Sequence, residues 1–203
     1  MSDRRDTYHH GDLKAALTSA ALALVAEKGP KGFTLSEAAR RAGVSVAAPY
    51  RHFADKAHLL AAVSEQGFIE LDGALISAGE GVSDAADGVI SIGRAYVRWA
   101  VAHPDHYQVM FGAETNKDEH PGVLVAGAKA FGNLLDAIVR CQDAGLVRGD
   151  DPHQIAGPMW SMVHGIASLA IGGDLRHAGI DEPPEDLAAR ATTDMLTALA
   201  RER

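Results

Sequence analysis

A chain of 203 residues, 47% hydrophobic and 23% charged, can bury a sizeable core as one domain or as a small domain joined to a larger one. No apolar run approaches the roughly 20 residues of a membrane-spanning helix, and residues 1–12 lack the apolar stretch of a secretory signal, so a cytoplasmic protein with no membrane partner is expected. The net charge of −8 argues against indiscriminate coating of nucleic acid, and the single cysteine, Cys141, excludes an internal disulfide and a cysteine-based zinc cluster.

The charge is unevenly spread. Residues 1–56 hold nine Lys/Arg against six Asp/Glu, a net of +3, whereas residues 57–203 hold ten against twenty-one, a net of −11. A positive head on an acidic body suits a site-specific DNA binder, because the body weakens non-specific attraction to phosphate.

The signals are helical almost throughout, which predicts an all-α fold. Leu13, Leu17, Ala20, Ala21 and Leu24 line one face of a first helix that stops at Gly29-Pro30. Thr34 followed three residues later by Glu37 is a capping box, so a second helix is expected from Leu35 to about Ala42. Gly43 then supplies a tight turn, and Ser45 can cap a short third helix. Two helices around a glycine turn make a helix-turn-helix.

In that third element Val46, Ala47 and Ala48 are small enough for the backbone to approach base edges and thymine methyl groups. Pro49 would fall at the fourth helical position and forfeit one hydrogen bond. Tyr50, Arg51 and His52 offer groups that reach phosphates or a guanine edge, and Phe53 can anchor the element to the core. Asp55 reads as the cap of a fourth helix, and Lys56 in its first turn opposes the macrodipole unless an anion such as a DNA phosphate lies there.

The segment from Tyr8-His9-His10-Gly11-Asp12-Leu13, through residues 34–45 (TLSEAARRAGVS), to Tyr50-Arg51-His52-Phe53 and Lys56 closely resembles the DNA-binding domain of TetR/AcrR-family transcriptional regulators. His103-Pro104-Asp105-His106-Tyr107 and Trp160-Ser161-Met162-Val163-His164-Gly165 are similar to the ligand-domain branch named for its Trp-His-Gly motif. The resemblance implies a three-helix DNA-binding domain at 9–56, with helix four continuing to about 78, and a larger helical effector-binding and dimerisation domain at 79–203. It implies a homodimer on double-stranded, palindromic operator DNA, most simply a ligand-responsive repressor. Thr34, Ser45, Tyr50, His52 and Lys56 match positions that touch phosphates, and Ser36, Val46, Ala47 and Arg51 match positions that face bases. Many members carry Lys or Gln, Gly, Thr and Leu where this chain has Val46-Ala47-Ala48-Pro49, so base readout here leans on methyl contacts and Arg51.

Beyond Lys56 the breaks leave helices near 84–102, 123–144, 153–171 and 185–200, with a shorter one after Pro104. Gly157, Ser161, Gly165, Ser168 and Gly172 make a small-residue stripe on the helix at 153–171. Spacing alone allows packing within the chain or a seam between two copies, and the resemblance favours the seam, completed by the last helix. Trp99, Tyr107, Met110, Phe111, Met159, Trp160, Met162 and His164 suit either a plain core or an apolar pocket for a small apolar or aromatic effector. His103 and His106 are spaced as metal ligands can be, which leaves a metal-responsive regulator as an alternative; no third ligand at fixed spacing completes a site. No cofactor and no catalytic set are expected, and a helical small-molecule-binding protein or enzyme is the remoter alternative.

Overall fold

The computed structural model describes residues 3–114 and 116–200, with side chains from residue 13 onward, so the motif's residues 8–12 lie outside the described side chains. The elements are α1 (Asp3–Lys28), α2 (Leu35–Arg41), a 3-10 turn η1 (Pro49–Arg51), α3 (Lys56–Gly79), α4 (Ala85–Ala102), α5 (Pro104–Phe111), a second 3-10 turn η2 (Lys117–Glu119), α6 (Pro121–Asp143), α7 (Pro152–Gly172), α8 (Asp174–His177) and α9 (Pro184–Leu199). The one strand-like feature among the described residues is an isolated bridge from Val147 to Ala200. The all-α expectation holds. Two compact units share the chain: one runs to Phe68 and takes in Asp105–Val125, and the other joins Ile69–Pro104 to the chain from Ala126 onward.

In the first unit the apolar face of α1 does what its spacing predicts. Leu17, Ala20, Ala21, Leu24 and Val25 are buried, and Leu13 packs against the same core. Phe33, Leu35, Ala38, Phe53, Leu59, Leu60, Val63 and Val109 complete it. The capping box starts α2: the Glu37 amide donates to Thr34 Oγ1 at 3.2 Å, and the Thr34 amide donates to Glu37 Oε2 at 2.8 Å. Its end is closed by Gly43 at φ +71°, with the Val44 amide donating to the Ala39 carbonyl at 3.0 Å and the Gly43 amide to the Arg40 carbonyl at 3.1 Å. Only a residue tolerant of positive φ makes that wrap without strain.

The third helix is where the structure departs from expectation. Residues 46–48 form turns and Pro49–Arg51 a single 3-10 turn; no α-helix is capped by Ser45. Most of the bonds run three residues back, from the Ala48 amide to the Ser45 carbonyl, Arg51 to Ala48 and His52 to Pro49, at 2.9, 3.2 and 2.9 Å, and a single four-residue bond, from the Phe53 amide to the Pro49 carbonyl at 2.9 Å, closes the segment. Pro49 is the cause. It has no N–H to give the Ser45 carbonyl, so the first α-type bond is absent and so short a segment stays in the tighter 3-10 pattern.

In the second unit α4 packs on α9 and α7, and α7 packs on α9. The crossing of α4 and α9 is close at Gly93, where a Cβ would stand 2.9 Å from Thr192 Oγ1. Asp84 caps α4 by accepting from the Asp87 amide at 2.9 Å. The predicted helices at 84–102, 123–144, 153–171 and 185–200 are met within two residues by α4, α6, α7 and α9. The stretch read as a break from 172 to 184 holds α8, one turn whose Leu175 is buried. Although the chain has no uninterrupted apolar run of membrane-spanning length, α6 and α7 are long and apolar enough, by length and composition alone, to cross a membrane, a test that core helices of a globular protein also pass. A search for uninterrupted apolar runs misses them, because Lys129, Asp136 and Arg140 punctuate an α6 otherwise rich in Val, Leu, Ile and Ala.

Candidate nucleic-acid interface

The turn replacing the third helix hangs on two inward side chains. Pro49 is buried and Phe53 is 3% exposed, whereas Ser45, Val46, Ala47, Tyr50 and Arg51 are exposed and His52 is half-buried. Val46 at 50% and Tyr50 at 60% exposure give almost nothing to the core. Held outward by that anchor, the two side chains leave apolar surface available to a partner.

Some of the charges around this turn are paired. Lys28 donates to Glu37 Oε1 at 2.9 Å, and Arg41 makes a forked pair with Glu27 at 2.7 and 2.6 Å, tying α2 to the end of α1. Lys28, and then the Thr34 hydroxyl and amide, bring the Glu37 pKa down from 4.5 to about 2. Arg40 and Arg51 are exposed, and neither joins the ion pairs among the described residues. The Asp55 cap is confirmed: it accepts from the His58 amide at 2.9 Å, and that bond, with the His58 ring, lowers its pKa.

Two expected phosphate contacts have other work. The Thr34 hydroxyl donates to Glu37 Oε2 at 2.9 Å and accepts from the Glu37 amide. Lys56 Nζ donates to the carbonyls of Lys31 at 3.2 Å and Phe33 at 3.1 Å and stands 5.1 Å from the Phe33 ring centroid. It braces the start of α3 against the α1–α2 turn, with one of its three N–H donors left over. Ser36 is half-buried in the first turn of α2.

The aromatic and methionine set is divided between the units. Tyr107, Met110 and Phe111 belong to the first, where Met110 is fully buried and Tyr107 lies 4.9 Å from Phe111. Trp99, Met159, Trp160, Met162 and His164 belong to the second. There Met159 is buried, Met162 half-buried, and Trp99 stacks on His103 at 4.9 Å. Sequence reading passed over Tyr96, whose hydroxyl lies 3.0 Å from His164 Nδ1. Its position among Ile92, Trp99 and Ala100 on the buried face of α4 is the signal that could have found it, since a buried tyrosine hydroxyl needs a partner. Trp160 is partly exposed, 5.6 Å from the His164 ring and 6.0 Å from that of Phe131.

His103 turns Nδ1 onto the Trp99 carbonyl at 2.9 Å, and among the described residues no three His, Cys, Asp or Glu stand together as metal ligands. Cys141 is buried, which pushes its thiol pKa up and makes it a packed, unreactive group. The stripe on α7 has room beside it: among the described residues, no atom outside the helix's own neighbouring turns lies within 4 Å of a Cβ built at the half-buried Gly157 or Gly165, and Ser161, Ser168 and Gly172 are exposed. A Cβ at Gly172 would meet only Asp174, at the helix end.

Residues 17–63 match the family model described as bacterial regulatory proteins, tetR family, and residues 89–195 match the tetracyclin repressor-like C-terminal domain. A solved structure from Rhodococcus sp. RHA1, described as a protein with unknown function, is 33% identical, with 96% of this chain and 98% of that one covered at a TM-score of 0.83. The TetR family transcriptional regulator PfmR from Thermus thermophilus shares the fold at a TM-score of 0.69 and 22% identity, over 91% of this chain and 99% of that one. HTH-type transcriptional regulator Rv1816 of Mycobacterium tuberculosis (strain ATCC 25618 / H37Rv) is 29% identical over 128 residues, 61% of this chain and 53% of its own length. The chain thus spans about half the length of that curated relative. With one family model on the anchored turn and its core and another across most of α4 to α9, the chain belongs to the TetR family of bacterial regulatory proteins.

Proposed function

We propose that the chain is a homodimeric, cytoplasmic DNA-binding repressor that holds a palindromic operator and releases it when a small apolar or aromatic molecule binds its ligand-domain side chains. The observation that supports it most is the turn at 45–52, where Val46, Tyr50 and Arg51 are held outward by the buried Pro49 and Phe53. Phosphate-facing groups around that turn, Ser45, Tyr50, His52 and the remaining donor of Lys56, set its register on the duplex. Arg51 and the methyl groups of Val46 and Ala47 read bases. The open stripe on α7 supports a second copy as partner, and the Tyr96–His164 pair supports a polar anchor for one end of an effector. No enzymatic step is needed for any of this.

The test is a genomic footprint of the bound protein, followed by titration of the recovered duplex and a scrambled duplex at two salt concentrations. Preference for the recovered duplex of about 10³-fold or more, of the order known for specific regulators, is expected. Equal affinity for both duplexes would overturn the reading.

A further inference from the structure

The Lys117 ammonium lies 5.1 Å from the centroid of the Phe111 ring and 5.6 Å from that of Phe68. Those two rings meet edge to face, with centroids 5.6 Å apart at 78°. Tyr107 extends the same wall beside Phe111. The ammonium is half-buried, burial lowers its pKa, and it joins none of the hydrogen bonds or ion pairs among the described residues. A charge partly withdrawn from water without a carboxylate or carbonyl is costly, and among the described residues only the ring faces compensate.

We infer that the Phe68–Phe111 pair is a binding site for an organic ammonium ion and that the chain's own Lys117 occupies it as a tethered competitor. The chemistry favours a quaternary or tertiary alkylammonium over a primary amine. A primary ammonium leaves three N–H donors without water when it meets ring faces, whereas a methylated ammonium has few or none to lose and keeps the same attraction to the ring quadrupole. The tether also links the site to the head. Glu114, three residues before Lys117, pairs with Lys31 at 3.3 Å, and the Lys31 carbonyl is one of the two that hold Lys56. A ligand that displaces Lys117 therefore works on the segment that braces the start of α3. This ligand class goes beyond the effector proposed above, and binding to the cage does not depend on operator release.

The test titrates the full chain with choline and with its uncharged carbon isostere, 3,3-dimethylbutan-1-ol, followed by NMR with labelled lysine and phenylalanine. Lys117→Ala should bind choline about ten-fold more tightly than the unaltered chain, and choline about ten-fold more tightly than the isostere. Adding Phe111→Leu to Lys117→Ala should remove that gain. In the unaltered chain the Lys117 methylene protons, shifted by the rings, should move toward ordinary lysine positions as choline is added, but not with the isostere. Equal binding of choline and isostere, no choline binding by a folded Lys117→Ala chain, or choline saturation that leaves the Lys117 signals in place would each overturn the inference. No DNA enters the experiment, so its failure and a failure of the operator reading are told apart.

Discussion

Glu37 shows how much a single surface residue does here: it caps α2, holds Lys28 and takes the Thr34 hydroxyl, and its pKa falls to about 2. Because the folded pKa is depressed, the stabilisation is fully present above the ordinary value of 4.5 and is lost as pH falls from there through about 2. Glu37→Gln should therefore flatten the melting temperature against pH across that window and leave its shape at neutral pH unchanged, as thermal scans over the acid range up to neutrality will show. Arg51 and Lys56 separate in the same way by measurement. Arg51→Ala should cut the operator-to-scrambled ratio by about 5–150-fold, equivalent to about 1–3 kcal/mol of lost base contact. Lys56→Ala should weaken both duplexes by a similar factor and also lower the melting temperature, since the carbonyls of Lys31 and Phe33 lose their donor. An Arg51 variant that weakens both duplexes equally would exchange these assignments. The second task of Lys56 was illegible in sequence because its partners lie 23 and 25 residues away, whereas the capping box was legible because its two members are three apart.

At the scale of elements the same distinction holds. Helix faces, caps and glycine stops are local, so α1 and α2 could be placed from spacing and a capping box, and α4, α6, α7 and α9 from the breaks between them. The third helix failed on a local fact given too little weight: Pro49 removes the N–H that the first α-type bond requires, and in so short an element that decides its form. The exposed set at 45–52 was nonetheless legible, because the inward residues are the proline and the phenylalanine whichever helical pattern the backbone takes. The pairing of Tyr96 with His164 spans 68 residues, and no spacing rule joins them. Packing between elements gives its own prediction at Gly93. An alanine there places Cβ 2.9 Å from Thr192 Oγ1, a buried hydroxyl without a hydrogen-bond partner among the described residues. Gly93→Ala should destabilise the chain despite the better helix propensity of alanine. Combined with Thr192→Ala it should recover, with a coupling of about 1 kcal/mol or more in a double-mutant cycle read by urea unfolding. Strictly additive effects would mean that the two helices separate freely at that point.

For the whole molecule the outstanding physical fact is how much apolar helix one copy leaves uncovered. Only 28% of the apolar window of α6 and 33% of that of α7 are buried. On α7 the part not fully buried includes the half-buried Gly157 and Gly165 and the exposed Ser161 and Ser168, flanked by the exposed Trp160, Leu169 and Ile171. Small residues let two backbones approach, and apolar neighbours then supply the buried area that holds them together. Among the described residues, no atom outside the neighbouring turns of α7 lies within 4 Å of a Cβ at Gly165, so there is room at that point for a larger side chain in a single copy, and it would clash where a second backbone comes near. Gly165→Leu should accordingly keep its helical content and gain slightly in helix propensity, yet run as a monomer in light scattering. With its two heads no longer joined, it should lose about 10²–10⁴-fold in operator affinity, the avidity that linkage of two sites provides, while the affinity of each head for a half-site stays the same. A Gly165→Leu chain that remains a dimer with undiminished operator binding would remove α7 from the seam. The exposed apolar positions of α6, Leu124, Val125 and Val139, would then be the next to substitute.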